Sequence, residues 1–105
     1  MKADKVMSML GIAAKAGGIV SGEFSTEKAI KDGKAYLVIV ACDASVNTQK
    51  RFCDMAMFRG IPIYRYGDKE NLGHFVGKEF RASLAVTNEQ LARSIEDRLK
   101  MITTE

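Results

Sequence analysis

The sequence predicts an α/β domain of the three-layer α/β/α type, with helices on both faces of a small sheet. Four short apolar segments alternate along the chain with five segments of helical pattern. One apolar segment, Tyr36–Ala41, is rich in β-branched residues and apolar on both faces, as is typical of a strand covered on both sides. The chain has 105 residues, 47% of them hydrophobic, which is enough for the core of one domain over residues 1–105.

The first elements of the chain are predicted to be a helix and a short strand. Residues 4–16 are expected to be helical because Val6, Leu10 and Ala13 recur on one helical face. Two glycines follow and end this helix, and Ile19–Val20 is then a short strand.

A second helix and the buried strand come next. The helix is capped at Ser21 or Gly22, and Glu23 lies in its first turn, where the helix dipole favours negative charge. The helix ends at Asp32–Gly33, and the strand Tyr36–Ala41 follows.

The middle of the chain contains a helix, a strand and a short helix. Asp43 or Ser45 caps the third helix, which continues to about Phe58. The segment Ile61–Tyr66 is predicted to be a strand, with its proline near the start, where a missing N–H is tolerated. A short helix over Asp68–Val76 follows and ends before a glycine.

A strand and a long helix complete the domain. The last strand is predicted over Ala82–Val86, and Thr87 caps the final helix in a capping box with Gln90 three positions later. The helix then repeats apolar residues every four positions, at Leu91, Ile95 and Leu99.

Several classes of protein do not fit the sequence. Cys42, Cys53 and the only histidine, His74, lack the spacing of a zinc site, and we expect two reduced, half-buried cysteines in a cytoplasmic protein. Phosphate-binding and dinucleotide-binding glycine motifs are missing. No apolar run reaches the ~18 residues of a membrane span. We therefore expect no catalysis, no cofactor, no small-molecule substrate and no membrane association.

The start of the second helix is the strongest candidate for a binding site. Gly22, Ser25, Lys28 and Lys31 recur every third residue, which keeps them near one side of a short helix. A glycine at a helix start lets an anion approach the free backbone amides, and lysines suit a phosphate backbone. The net charge of +3 permits such binding without demanding it. An ordinary solvated helix face would show the same spacing.

Other charged residues leave two further interpretations open. Lys69, Lys78 and Arg81 follow predicted elements and would form a basic rim if their loops gather at one end of the sheet. Asp43 follows the buried strand, where α/β proteins bind ligands, so a small ligand-binding or phosphotransfer domain is an alternative. The simpler interpretation of Asp43 is a helix cap.

Four segments make the chain resemble the ribosomal protein family that includes L7Ae, L30e, S12e and Gadd45, and within it the bacterial YlxQ-type members. These segments are Leu10–Glu23, Lys28–Ala41, Asp43–Thr48 and Asn71–Gly73. The resemblance implies an L30e-like α/β/α sandwich with a mixed sheet of about four strands. It also implies a non-catalytic, monomeric RNA-binding domain that recognises kink-turn RNA.

The resemblance also implies a set of RNA-binding residues. The second helix would enter the groove at the kink, and the loop at Arg81 would meet a flipped-out nucleotide. The implied site residues are Gly22, Glu23, Phe24, Ser25, Lys28, Lys31, Lys69, Arg81, Ala82 and Ser83. The polar pair that reads guanines elsewhere in the family falls on Phe24 and Ser25. Because Phe24 has no polar group, we expect recognition by shape and backbone, with altered sequence preference.

The sequence thus predicts an RNA-binding protein for structured RNA of the kink-turn type, with ribosomal RNA or a riboswitch as candidate targets. The alternative is a protein–protein adaptor that keeps the fold and has lost RNA readout. An apolar surface in place of basic groups beside Gly22 would favour that alternative.

Overall fold

The computed structural model describes residues 4–103, so both ends of the predicted domain lie outside the described range. Within this range, five helices alternate with four strands, in the predicted order. The elements are α1 (Lys5–Lys15), β1 (Ile19–Ser21), α2 (Glu23–Lys31), β2 (Leu37–Val40), α3 (Val46–Phe58), β3 (Ile63–Arg65), α4 (Lys69–Phe75), β4 (Ser83–Val86) and α5 (Glu89–Thr103).

The four strands form one mixed sheet in the order β1-β4-β2-β3. Strand β4 runs antiparallel to both β1 and β2, while β2 and β3 are parallel. In the centre of the sheet, Val38 lies opposite Ala85 and Ile39 opposite Leu84. All residues of β2 and β4 are buried, which confirms that the sheet is covered on both faces.

Helices form the two outer layers of the predicted sandwich. Helix α2 packs on β1 and β4 and α3 on β2 and β3, whereas α5 packs on β2 and β4 and contacts α1. The side chain of Ser83 in β4 points to Thr26 of α2, so its neighbour Leu84 points to the opposite layer. The α/β/α prediction is confirmed.

The helical faces predicted from sequence periodicity form the core. Val6, Leu10 and Ala13 of α1 are fully buried, as are Ile95 and Leu99 of α5. The helices above the other face contribute Ile30 and Phe52 to the same core cluster. Each exposed helix surface is therefore free to carry polar or functional groups.

Two of the predicted caps need correction or refinement. The final helix is capped by Asn88, whose Oδ1 accepts a hydrogen bond of 3.0 Å from the Leu91 amide. Thr87 was the predicted cap, but its own amide donates to the Gly18 carbonyl at 2.8 Å and so extends the sheet. For α3, where two caps were possible, Ser45 accepts from the Thr48 amide.

Two tyrosine hydroxyls of the edge strand β3 and the residue after it are paired with carboxylates. Tyr64 donates to Glu96 at 3.0 Å and Tyr66 donates to Asp4, both through their hydroxyls. Burial, and then the carboxylate partner, raise the pKa of each phenol above its ordinary value.

The prediction of two half-buried cysteines is correct for Cys53 only. Cys42 is exposed, because it follows the buried strand at the loop where the chain leaves the sheet.

Gly73 provides a test of close backbone packing. A β-carbon built on Gly73 would lie 1.2 Å from the Glu79 carbonyl oxygen, whereas one on Gly33 would meet nothing within 4 Å. We expect Gly73→Ala to destabilise the fold by roughly 3 kcal/mol or more, since backbone must move. Gly33→Ala should cost only about 1 kcal/mol, for its φ of +72°.

The measurement for this pair is urea unfolding of both variants beside the parent. Equal losses of unfolding free energy in the two variants would contradict the close approach of α4 to the segment that follows it.

Candidate nucleic-acid interface

Helix α2 begins at Gly22, which is fixed to the centre of the sheet. Gly22 has φ +95° and ψ 160°, a conformation that L side chains rarely adopt. Its amide donates to the Ser83 carbonyl at 2.9 Å, and its carbonyl accepts from the Thr26 amide at 2.9 Å. Since Gly22 offers no side chain as a cap, the next amides, of Glu23, Phe24 and Ser25, remain available as donors.

Arg81 lies directly beside this helix start. Its Nε donates to the Ser21 hydroxyl at 3.1 Å, and its Nη1 donates to the Phe80 carbonyl at 2.9 Å. A β-carbon on Gly22 would lie 3.8 Å from the Arg81 Nε, an ordinary contact. A glycine is therefore required at position 22 for the backbone conformation and not for space. The two hydrogen bonds hold the Arg81 guanidinium beside the start of α2.

A concave depression of about 480 Å³ opens beside the helix start. We define the α2 entrance as the polar residues around this depression together with the glycine: Ser21, Gly22, Ser25, Lys78 and Arg81. Among residues 4–103, no carboxylate lies within ion-pair distance of Lys78 or Arg81. The entrance therefore combines backbone donors with two uncompensated cations, which is the chemistry of an anion site.

Three predicted site residues of the later loop and strand take different positions. Lys69 lies near the entrance, since its carbonyl accepts from the Arg81 amide at 3.0 Å. Ala82 is half-buried, and its carbonyl accepts from the Ala41 amide. Ser83 is fully buried and its hydroxyl donates to Thr26, so its side chain has no surface for a ligand. Its contribution to the site is the carbonyl that holds Gly22.

The outer face of α2 is electrically neutral, unlike the basic face that the lysines suggest in the sequence. Lys28 pairs with Asp32 at 2.9 Å, and Lys31 pairs with Glu27 at 2.7 Å. The hydrogen bond and the charge of Lys28 hold the pKa of the Asp32 carboxyl below its ordinary value. The uncompensated positive charge lies instead across the entrance, on the opposite wall.

Arg51 is a residue that sequence reasoning missed. This arginine of α3 forms ion pairs with both Glu23 and Glu27 of α2. It thus neutralises the two carboxylates nearest the helix start. Glu23 and Arg51 are 28 positions apart, so no local spacing indicates the contact. Only knowledge of how α2 packs against α3 could have identified it.

Two exposed aromatic rings belong to the segments on either side of the entrance. Phe24, in the first turn of α2, is 80% exposed, and Phe80, next to Arg81, is 66% exposed. The sequence analysis named Phe24 as a site residue without a polar group, and its ring is open to solvent. Phe80 was not identified, because one aromatic residue in a loop carries no periodic signal.

Asp43 accepts a hydrogen bond at the start of a helix, as its simpler interpretation predicts, but this helix is α4 and not α3. Its Oδ1 accepts from the Lys69 amide at 2.9 Å, so it supports the start of α4. His74 is exposed and its ring lies edge-on to Phe75. Within the described part of the chain, no group of three metal-ligating side chains occurs, and no helix has the length and apolarity to cross a membrane.

Comparisons with known proteins agree with this architecture. The RNA-binding protein YlxQ of Bacillus subtilis is 36% identical over 87 residues, 83% of this chain and 87% of that protein. The large ribosomal subunit protein eL30 of Candida albicans is 33% identical over 79 residues, 74% of each chain. A solved structure of a Bacillus halodurans protein of unknown function superimposes with a TM-score of 0.87 at 32% identity, covering 90% of this chain and 96% of that one.

The chain also matches the sequence model of a whole protein family. The sequence model of the ribosomal protein L7Ae/L30e/S12e/Gadd45 family matches residues 4–96, which is nearly the whole chain. The matched range includes every residue of the α2 entrance and all four strands of the sheet. The chain belongs to the ribosomal protein L7Ae/L30e/S12e/Gadd45 family.

Proposed function

We propose that this protein binds structured RNA of the kink-turn type at the α2 entrance, as a non-catalytic monomer in the cytoplasm. The observation that carries the proposal is the juxtaposition of the uncapped start of α2 with the Arg81 guanidinium. Ser25, whose amide is one of the free donors, and Arg81 line one depression, where a phosphate can be bound from two sides. The RNA-binding YlxQ and ribosomal eL30 relatives support RNA as that ligand.

Each part of the α2 entrance has a distinct role in the proposal. The amides after Gly22 bind a backbone phosphate, and Arg81 and Lys78 bind its neighbours. The half-buried Ser25 hydroxyl lies inside the depression, where it reaches a base edge or a sugar hydroxyl. Lys69 adds positive charge behind Arg81. Ribosomal RNA and a riboswitch are the candidate targets.

A bent RNA suits the entrance better than a straight duplex. The aromatic rings of Phe24 and Phe80 are exposed at its two sides, and aromatic rings stack on bases that have left the helix. A kink supplies such unstacked bases together with closely spaced phosphates, whereas a regular duplex keeps its bases paired. An apolar surface in place of basic groups here would favour the adaptor alternative, but the cations Lys78 and Arg81 occupy this position.

Arg81 provides the main test of the proposal. We expect the parent protein to bind a kink-turn duplex at least about tenfold more tightly than a straight duplex of equal length. Arg81→Ala should weaken kink-turn binding about tenfold and flatten the salt dependence by about one, since one phosphate contact is lost. Affinities at several salt concentrations measure both effects.

The matched control is Arg93→Ala, which removes the same charge from the exposed surface of α5, where Arg93 pairs with Glu89. It should leave kink-turn binding within about twofold of the parent. Equal binding of the two duplexes by the parent would refute the proposal, and equal losses in the two variants would remove Arg81 from the site.

Lys28 and Asp32 test whether the paired cations of α2 also contact RNA. Because Lys28 is partly neutralised by Asp32, we expect Lys28→Ala to weaken binding by only about threefold. Asp32→Asn should strengthen binding by a similar factor, since it frees the ammonium for a phosphate. Titrations at low and moderate salt measure both. Unchanged affinity in both variants would place the RNA away from this turn of α2.

Arg51 tests the role of charge neutralisation beside the α2 entrance. We expect Arg51→Ala to weaken RNA binding about fivefold, because Glu23 and Glu27 then repel the phosphates. Adding Glu23→Gln and Glu27→Gln should restore the affinity. If the triple variant stays as weak as Arg51→Ala, Arg51 binds RNA directly and neutralisation is not its role. Competition binding with one labelled kink-turn duplex compares all the variants.

A further inference from the structure

At the C-terminal end of α3, the aromatic ring of Phe58 is exposed to solvent and is not part of the core. Phe58 is 87% exposed, more than any other large hydrophobic side chain among residues 4–103. The buried face of α3 is provided by Phe52 and Ala56. Phe58 therefore makes little contribution to folding, and its exposure leaves one whole ring face available.

The surroundings of Phe58 are concave and carry two cationic side chains. Lys31 is paired with Glu27, whereas Arg59 has no carboxylate within ion-pair distance among residues 4–103. A depression of about 240 Å³ is lined by the ring together with Lys31, Asp54, Met55 and Arg59. The half-buried Met55 provides an apolar wall, and the Arg59 Nη1 lies 3.5 Å from the Lys31 carbonyl, where α2 ends. An aromatic face with flanking cations is the composition of a base-stacking site in single-stranded nucleic-acid binding. Asp54 adds an acceptor for a base amino group.

This depression shares Lys31 with a second depression, which extends along α2 to the first turn of that helix. Glu27 and Asp32, the carboxylates that pair with the two lysines, line it beside Phe24, Lys28 and Lys31. Phe24, Lys28 and Lys31 lie on one stripe of α2, at positions i, i+4 and i+7. From the entrance to Lys31 is about 13 Å at ~1.5 Å per residue, which is roughly four stacked nucleotides at ~3.4 Å each. A strand leaving the entrance along α2 would reach Phe58.

We propose that Phe58, Lys31 and Arg59 form a second RNA contact, which binds a single-stranded segment next to the kinked element. One base stacks on the Phe58 ring, and the adjoining phosphates contact the Arg59 guanidinium and the Lys31 ammonium. This inference rests on the proposed function, since the strand is guided there from the α2 entrance. The Arg59 guanidinium, which has no carboxylate partner among the described residues, favours a nucleic-acid strand over an apolar protein surface as the occupant.

The test compares a blunt kink-turn duplex with the same duplex carrying a single-stranded adenosine extension of about six nucleotides, placed on each end in turn. For the parent, we expect one extension to raise the affinity about tenfold. Phe58→Leu should abolish this gain, because it keeps an apolar side chain and removes the aromatic face, whereas Phe58→Trp should retain it. Met57→Ala is the matched control, because Met57 is the neighbouring exposed apolar residue, and it should keep the full gain.

Three results would overturn the inference: no gain from either extension, a full gain in Phe58→Leu, or a dimer of the parent in sedimentation velocity that Phe58→Leu abolishes. The last would make the patch a contact between copies of the chain. A parent that fails to bind the blunt duplex refutes the proposed function instead. In that case an adenosine hexamer, titrated into the parent and followed by amide NMR shifts at Phe58 and Arg59, still decides the stacking site.

Discussion

The hydrogen bond from the Gly22 amide to the Ser83 carbonyl is the contact on which the candidate site depends. It joins the residue before α2 to the buried strand β4 and so anchors the helix start to the sheet. The left-handed conformation of Gly22 turns the chain from β1 into α2 at this point. The amides that follow, and the arginine beside them, are therefore presented by rigid elements, as precise recognition requires.

Charge is distributed so that the two walls of the α2 entrance differ. On α2, Lys28 pairs with Asp32 at the helix end and Lys31 pairs with Glu27, and Arg51 of α3 pairs with Glu23 and Glu27. On the opposite wall, Lys78 and Arg81 have no such partners within the described residues. A net charge of only +3 can therefore still produce a local positive field at the entrance. The local arrangement of charges determines this field more than the net charge of the chain does.

The sequence was informative wherever a local pattern decides the structure. The alternation of elements, the buried strand and the core faces of α1 and α5 follow from periodicity, and all were predicted. The predictions failed where a distant partner decides. Thr87 extends the sheet by its bond to Gly18 and Asn88 caps α5, and the Ser83 side chain is buried because it faces Thr26. Periodicity within one segment contains no information about such partners.

Phe24 and Ser25, the positions on which the resemblance places the family's polar pair, suit the RNA recognition by shape that we propose. Burying an unused polar side chain against RNA would cost free energy, whereas an exposed ring gains by stacking on an unpaired base. The exposed rings of Phe24 and Phe80 provide two such faces, and in the proposed function the amides after Gly22 bind phosphates whatever the base. Such an interface discriminates through the positions of unstacked bases and phosphates. Its specificity would therefore lie in the bend of the RNA more than in the bases that form it.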